Sequence, residues 1–133
     1  MQKSIRLTES QKHQLVEHAD KFNPNESCAL LFGKENDEKV TVDEIFFANN
    51  IEESPINFTI SNEELLKGYK IAEEKNLEVV GIFHSHPNSE AIPSSTDKKF
   101  MHSNPVIWVI YSGENKNFRA YLLESEVEEI SIA

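Results

Sequence analysis

Leu77 to Phe83 reads Leu-Glu-Val-Val-Gly-Ile-Phe and runs without a break into His84-Ser85-His86-Pro87. A short, mostly apolar and β-branched run is the signature of a strand buried on both faces, which requires a sheet covered on either side. Side chains alternate along such a strand, so His84 and His86 project to one side while Ser85 points away. Pro87 has no N–H for a ladder and ends the strand. Two imidazoles therefore leave the sheet together, placed to share one ion. Taken alone, a His-x-His pair on a strand suits a structural or solvated role equally well.

The segment from Asn88 to Ser95 is rich in Asn, Ser and Pro and reads as a loop that folds back over the end of the strand. It delivers Asp97. Ser94 and Asp97 also form Ser-x-x-Asp at the start of a helix predicted over Ser94 to His102, where they suit an N-cap and a first-turn carboxylate. Capping and ligation are compatible. Zinc accepts nitrogen and carboxylate oxygen together, and a catalytic zinc keeps three protein ligands with the fourth position left for water. His84, His86 and Asp97 supply that number.

A hydrolase of this kind also needs a carboxylate that carries protons without binding the ion. Glu26 is the candidate: it follows the turn Asn23-Pro24-Asn25 and precedes Ser27-Cys28-Ala29-Leu30-Leu31-Phe32, an apolar strand that can lie beside the histidine strand. On local sequence alone, Glu26 reads as a solvated turn carboxylate. Cys28 reads as a buried small hydrophobe. His13, His18 and His102 lie on predicted helices without ligand spacing to one another, and read as surface or packing residues.

The remaining elements follow from periodicity. Ser4 to Leu7 is a predicted strand, and Thr8-Glu9-Ser10-Gln11 is a capping box that opens a helix to about Phe22, with Leu15, Val16, Ala19 and Phe22 as its apolar stripe. Strands are predicted at Cys28 to Phe32, Val40 to Phe47 and, shorter, Phe58 to Ile60. Asn62 is expected to cap a second helix to about Lys75, with Leu65, Leu66, Tyr69 and Ala72 facing inward. Val106 to Tyr111, Phe118 to Leu123 and Val127 to Ile132 read as closing strands, with Gly113 to Lys116 as a turn. The expected fold class is α/β, or α+β: a mixed sheet flanked by helices in a single domain over residues 1–133.

These residues resemble the JAMM, or MPN-plus, metalloproteases, whose pattern is an upstream Glu, then His-x-His, ten residues, and Asp. Glu26, His84, His86 and Asp97 fall on those four positions, and Ser94 falls on the serine of Ser-x-x-Asp. The flanking text Glu-Ser-Cys-Ala-Leu-Leu-Phe-Gly and Val-Val-Gly-Ile-Phe-His-Ser-His-Pro matches as well. The resemblance spans nearly the whole chain and is nearest the small, single-domain prokaryotic members. It implies a fold related to that of the cytidine deaminases, Zn2+ held by His84, His86 and Asp97, Glu26 as proton carrier and Ser94 as oxyanion donor. It further implies cleavage after the C-terminal Gly-Gly of a ubiquitin-like protein joined to a lysine or a short peptide. Asn49 to Asn57 is the expected neighbouring flap, and the tail is expected to add as a strand at a sheet edge.

Composition narrows the alternatives. A formal charge of −10 argues against nucleic-acid binding, which needs a concentrated basic surface. A single cysteine excludes an intrachain disulfide and suits a reducing compartment. The first residues lack an apolar signal region, and no stretch approaches a membrane span, so a cytoplasmic location is expected. A zinc deaminase would need a Pro-Cys-x-x-Cys pair, which the chain lacks. A catalytically silent MPN scaffold would not need the intact ligand set. Processing of a ubiquitin-like sulfur carrier remains an alternative to isopeptide cleavage.

Overall fold

Thr8 accepts from the amide of Gln11 and Gln11 reaches back to the amide of Thr8, so the predicted capping box opens helix α1 (Glu9–Phe22). The computed structural model describes residues 3–133. Ahead of α1 lies strand β1 (Ser4–Arg6). After it come β2 (Cys28–Asn36), β3 (Lys39–Ala48), α2 (Asn62–Glu74), β4 (Glu78–His86), α3 (Ser95–Ser103), β5 (Ile107–Ser112), β6 (Asn117–Leu123) and β7 (Val127–Ile132). The α+β class expected from the sequence is the class observed.

The strands form one sheet in the order β1-β3-β2-β4-β5-β6-β7, and β1 also pairs with β7, which closes the sheet on itself. The pairs β1/β3, β1/β7 and β4/β5 are parallel and the others antiparallel. Parallel neighbours need a crossover, and α3 supplies it between β4 and β5. The histidine strand is thus central, flanked by β2 and β5.

Both faces of that strand are covered, as its apolar composition demands. On one face Phe83 packs with Leu31, Val109 and the α1 residues Leu15 and Ala19. On the other, Ile82 packs with Leu30, Trp108, Ile110, the α2 residue Ala72 and the α3 residue Met101. Each fully buried Leu, Ile or Phe contributes about 1.5–3 kcal/mol. His84 shares the face of Ile82, so the pleat carries both imidazoles toward α2 and α3.

Three local expectations are corrected. Ser61, not Asn62, caps α2, its side chain accepting from the amide of Glu64. The inward stripe of α2 runs through Leu65, Gly68 and Ala72, whereas Leu66 is 73% exposed and Tyr69 48%. Gly68 carries no apolar side chain to register in a hydropathy pattern, yet a Cβ there would stand 2.5 Å from Leu30 Cδ1, so the helix seats closest at that residue. Phe58 to Ile60 forms no strand. Phe58 instead stacks on the His84 ring, with centroids 4.7 Å apart. Among the described residues, no helix is long and apolar enough to cross a membrane.

Candidate metal centre

The site is built where β2 and β4 part. Cys28 pairs with His84, and one step on Ser85 N donates to Ser27 O (3.0 Å) while Ser27 N donates to Ser85 Oγ (2.9 Å). Ser85 therefore points away from the imidazoles and locks the strand end. Antiparallel register then sets Glu26 against His86. Glu26 is only 3% exposed, so it is no solvated turn carboxylate. Its main chain is held by the loop between β3 and α2: Glu26 N donates to Ser54 O (2.8 Å), and Asn50 Nδ2 donates to Glu26 O (3.1 Å).

Four of the five residues singled out in the sequence place their polar atoms together. His84 Nε2 and His86 Nε2 are 3.0 Å apart, and each is 3.1 Å from Asp97 Oδ2. Glu26 Oε2 stands back, 4.0 Å from His86 Nε2. The fifth, Ser94, caps α3: Ser94 Oγ accepts from Asp97 N (3.0 Å), and Ser94 N donates to Asp97 Oδ2 (2.9 Å). The oxygen that closes the capping box is also the one facing the histidines.

The donor set fits a cation. His86 Nδ1 lies 2.8 Å from Glu90 O, an acceptor only, so Nδ1 carries a proton, and in the neutral ring Nε2 presents a lone pair. That lone pair meets a second imidazole nitrogen and a carboxylate oxygen, an arrangement that a positive ion resolves. Ligands at the usual zinc distances in a tetrahedron lie roughly 3.3 Å from one another, close to the spacing observed. Glu26, His84 and His86 also offer ligand atoms within 4.8 Å of each other. Asp97 is nevertheless the nearer carboxylate to both rings.

Electrostatics agree. Burial pushes the Glu26 carboxyl up to about 8, with Asp97 and Glu52 adding to the shift and His86 opposing it. Complete burial lowers the His84 pKa despite its carboxylate partner, which keeps this ring neutral. Burial also disfavours a charge on His86, but Asp97, the Glu90 carbonyl and Glu26 outweigh it and raise that pKa. Asp97 is held well below the usual carboxylate range because the two imidazoles overcome its burial. Asp97 is thus the group of the cluster most strongly held as an anion, facing both rings.

Residues that sequence reasoning missed hold the cluster in place. Three consecutive carbonyls of the loop after β4 are each fixed from a different strand. Ser112 of β5 donates to Ser89 O (2.7 Å), His86 of β4 to Glu90 O (2.8 Å), and Tyr121 of β6 to Ala91 O (2.5 Å). No spacing in the chain announces the Ser112 and Tyr121 contacts, since they join segments 23 and 30 residues apart, whereas the His86 contact spans only four. Asn50 is the other omission; an Asn-Asn pair ahead of a loop signals a turn but not its partners. His13, His18 and His102 lie outside the cluster, and His18 instead contacts Cys28 O at 3.0 Å.

A closed mixed sheet carrying a buried His, His and Asp cluster, with a second carboxylate, Glu26, one step removed, could hold a single metal ion of the kind a mononuclear metallohydrolase uses. A family model described as prokaryotic homologs of the JAB domain matches residues 8–124. The chain belongs to that family, whose members are of the JAMM type its sequence resembles. It is 42% identical to a desampylase of Pyrococcus furiosus over 80% of this chain and 74% of that one. It is 32% identical to a CysO-cysteine peptidase of Mycobacterium tuberculosis over 74% of this chain and 66% of that one. The solution structure of a protein from Desulfitobacterium hafniense superposes with a TM-score of 0.87 at 30% identity, covering 97% of this chain and 91% of the other.

Proposed function

We propose that this protein is a zinc peptidase that cleaves the amide bond following the C-terminal Gly-Gly of a ubiquitin-like protein, joined either to a lysine side chain or to a short peptide. The observation that carries the reading is the difference between two carboxylates: Asp97 lies 3.1 Å from both imidazole nitrogens, Glu26 4.0 Å from the nearer one. His84, His86 and Asp97 would hold Zn2+. Bound there, zinc would polarise the scissile carbonyl and lower the pKa of the attacking water.

The chain's own groups do the rest. Glu26, set back by the width of a small molecule, takes a proton from the attacking water at Oε2 and later delivers it to the departing amine nitrogen. Ser94 spends an oxygen lone pair on the helix cap, which leaves its hydroxyl hydrogen free to donate to the oxyanion. The loop 49–57 holds the main chain of Glu26 at its amide and its carbonyl. The names of the two relatives, a desampylase and a CysO-cysteine peptidase, favour a modifier or carrier protein as substrate in both cases. Residues 1–133 are read as one domain, and the interior of a cell as its place of work.

The test is incubation of zinc-loaded protein with ubiquitin-like conjugates bearing lysine-linked and peptide-linked Gly-Gly tails. Cleavage directly after Gly-Gly, abolished by chelator and restored by zinc, is the expected result. Removing the carrier with Glu26→Gln is expected to lower kcat about 10²–10⁴-fold with zinc retained. Cleavage that persists undiminished in chelator would overturn the reading.

A further inference from the structure

The ladder with β4 reaches Ser27, whose carbonyl accepts from Ser85 N, and stops one residue short of Glu26, so the register brings Glu26 opposite His86 without bonding its main chain to the sheet. Both main-chain hydrogen bonds of Glu26 run instead to the 49–61 loop, its amide to Ser54 O and its carbonyl from Asn50.

Asn50 is the hinge pin of that loop. It is 8% exposed, and its side chain uses its full hydrogen-bonding capacity. Nδ2 donates to Glu26 O (3.1 Å) and to Asn57 O (2.9 Å). Oδ1 accepts from Glu52 N (3.0 Å) and Thr59 N (3.1 Å). The loop's own closure, Ile51 N to Thr59 O at 3.0 Å, is braced by the same side chain. One buried amide therefore ties the near limb of the flap, its far limb and the backbone of the proton carrier into a single unit. No other side chain of the flap donates to Glu26 among the contacts described.

We propose that Asn50 is a positioning residue for Glu26: it holds the flap and the carboxylate in fixed relation, so that the carboxylate stays beside the histidine cluster. The inference rests on the proposed role of Glu26 as proton carrier. A carboxylate displaced by an ångström loses much of its effect on a proton transfer, which sets the expected size of the loss at roughly 10–100-fold in kcat. Because Asn50 touches neither His84, His86 nor Asp97, zinc stoichiometry should stay unchanged.

Four proteins decide it: wild type, Asn50→Ala, Glu26→Gln and the double variant, with kcat and KM from single-turnover and steady-state cleavage of a Gly-Gly-tailed conjugate. Asn50→Ala should lower kcat by roughly 10–100-fold with KM within about twofold, yet change the residual rate of Glu26→Gln by less than about twofold, since residues acting as a unit are not additive. Amide hydrogen exchange in the zinc-free protein should quicken at least about tenfold at Glu26 while Ser85, in the ladder, keeps its rate. Should the alanine variant not fold, Asn50→Asp keeps the two accepted bonds and loses the two donated ones, and is read by the same criteria. An equal loss in both backgrounds, or exchange that quickens at Ser85 as much as at Glu26, would overturn the coupling. If Glu26→Gln turned over like wild type, the role of Glu26 itself would fall, and the coupling with it.

Discussion

The amide of Ser94 donates to Oδ2 of Asp97 across 2.9 Å, and that same oxygen lies 3.1 Å from Nε2 of His84. A helix cap and one corner of the metal-type cluster are a single atom, so the two functions separate only by mutation. Ser94→Ala removes the cap acceptor and should cost about 1 kcal/mol in denaturant unfolding with chelator present, with zinc binding retained. Asp97→Ala should lose the cap contact and zinc binding together. Wild-type zinc affinity in Asp97→Ala would reduce this carboxylate to a cap.

The Glu26 carboxyl supplies a pH signature. Burial raises its pKa from 4.5 to about 8, so between those values the folded chain holds a proton that the unfolded chain releases. The metal-free protein therefore loses stability from this group as pH rises through that window, by at most about 1.4 kcal/mol per pH unit. Glu26→Gln does not titrate. In urea unfolding with chelator, the variant should gain on wild type progressively from about pH 5 to pH 8. A difference that stays flat across that range contradicts the buried-carboxyl account.

Tyr121 is expected to matter although it touches neither histidine. Its hydroxyl donates to Ala91 O at 2.5 Å, next to the Glu90 carbonyl that orients His86. Tyr121→Phe leaves a buried carbonyl without its donor, which should cost about 1–3 kcal/mol of stability and weaken zinc binding. Unchanged unfolding and zinc affinity would show that the loop needs no such pin.

Cys28 should be chemically silent. It is fully buried, and burial, helped by the carboxylates of Glu64 and Glu26, pushes its thiol up to about 12. A thiolate is the reactive form, so iodoacetamide near pH 8 should leave the native protein unlabelled and fully active while labelling the unfolded chain. Rapid labelling of the native protein with loss of activity would contradict this placement.

Much of this organisation is legible in the chain, for identifiable reasons. Thr8 and Gln11, or Ser94 and Asp97, form capping boxes from groups three residues apart, and the pleat alone puts His84 and His86 on one face. What is not legible depends on contacts between distant segments. Hydropathy sees Leu66 and Tyr69 as core-forming and overlooks Gly68, because the close seat against Leu30 exists only in three dimensions. Phe58 is apolar enough for a strand, but it lies outside the sheet with its ring stacked on His84. Asn50 and Tyr121 are ordinary loop and strand residues until their partners, Glu26 O and Ala91 O, are brought to them.

The central claim is that His84, His86 and Asp97 hold one ion while Glu26 stands outside its coordination sphere. Crystals of the zinc-loaded protein, measured above and below the zinc absorption edge, test it directly. A single anomalous peak at about 2.0–2.2 Å from both Nε2 atoms and from Asp97 Oδ2, with the Glu26 carboxylate beyond bonding distance, is the predicted result. A peak ligated by Glu26 in place of Asp97, or no peak at saturating zinc, would contradict the account.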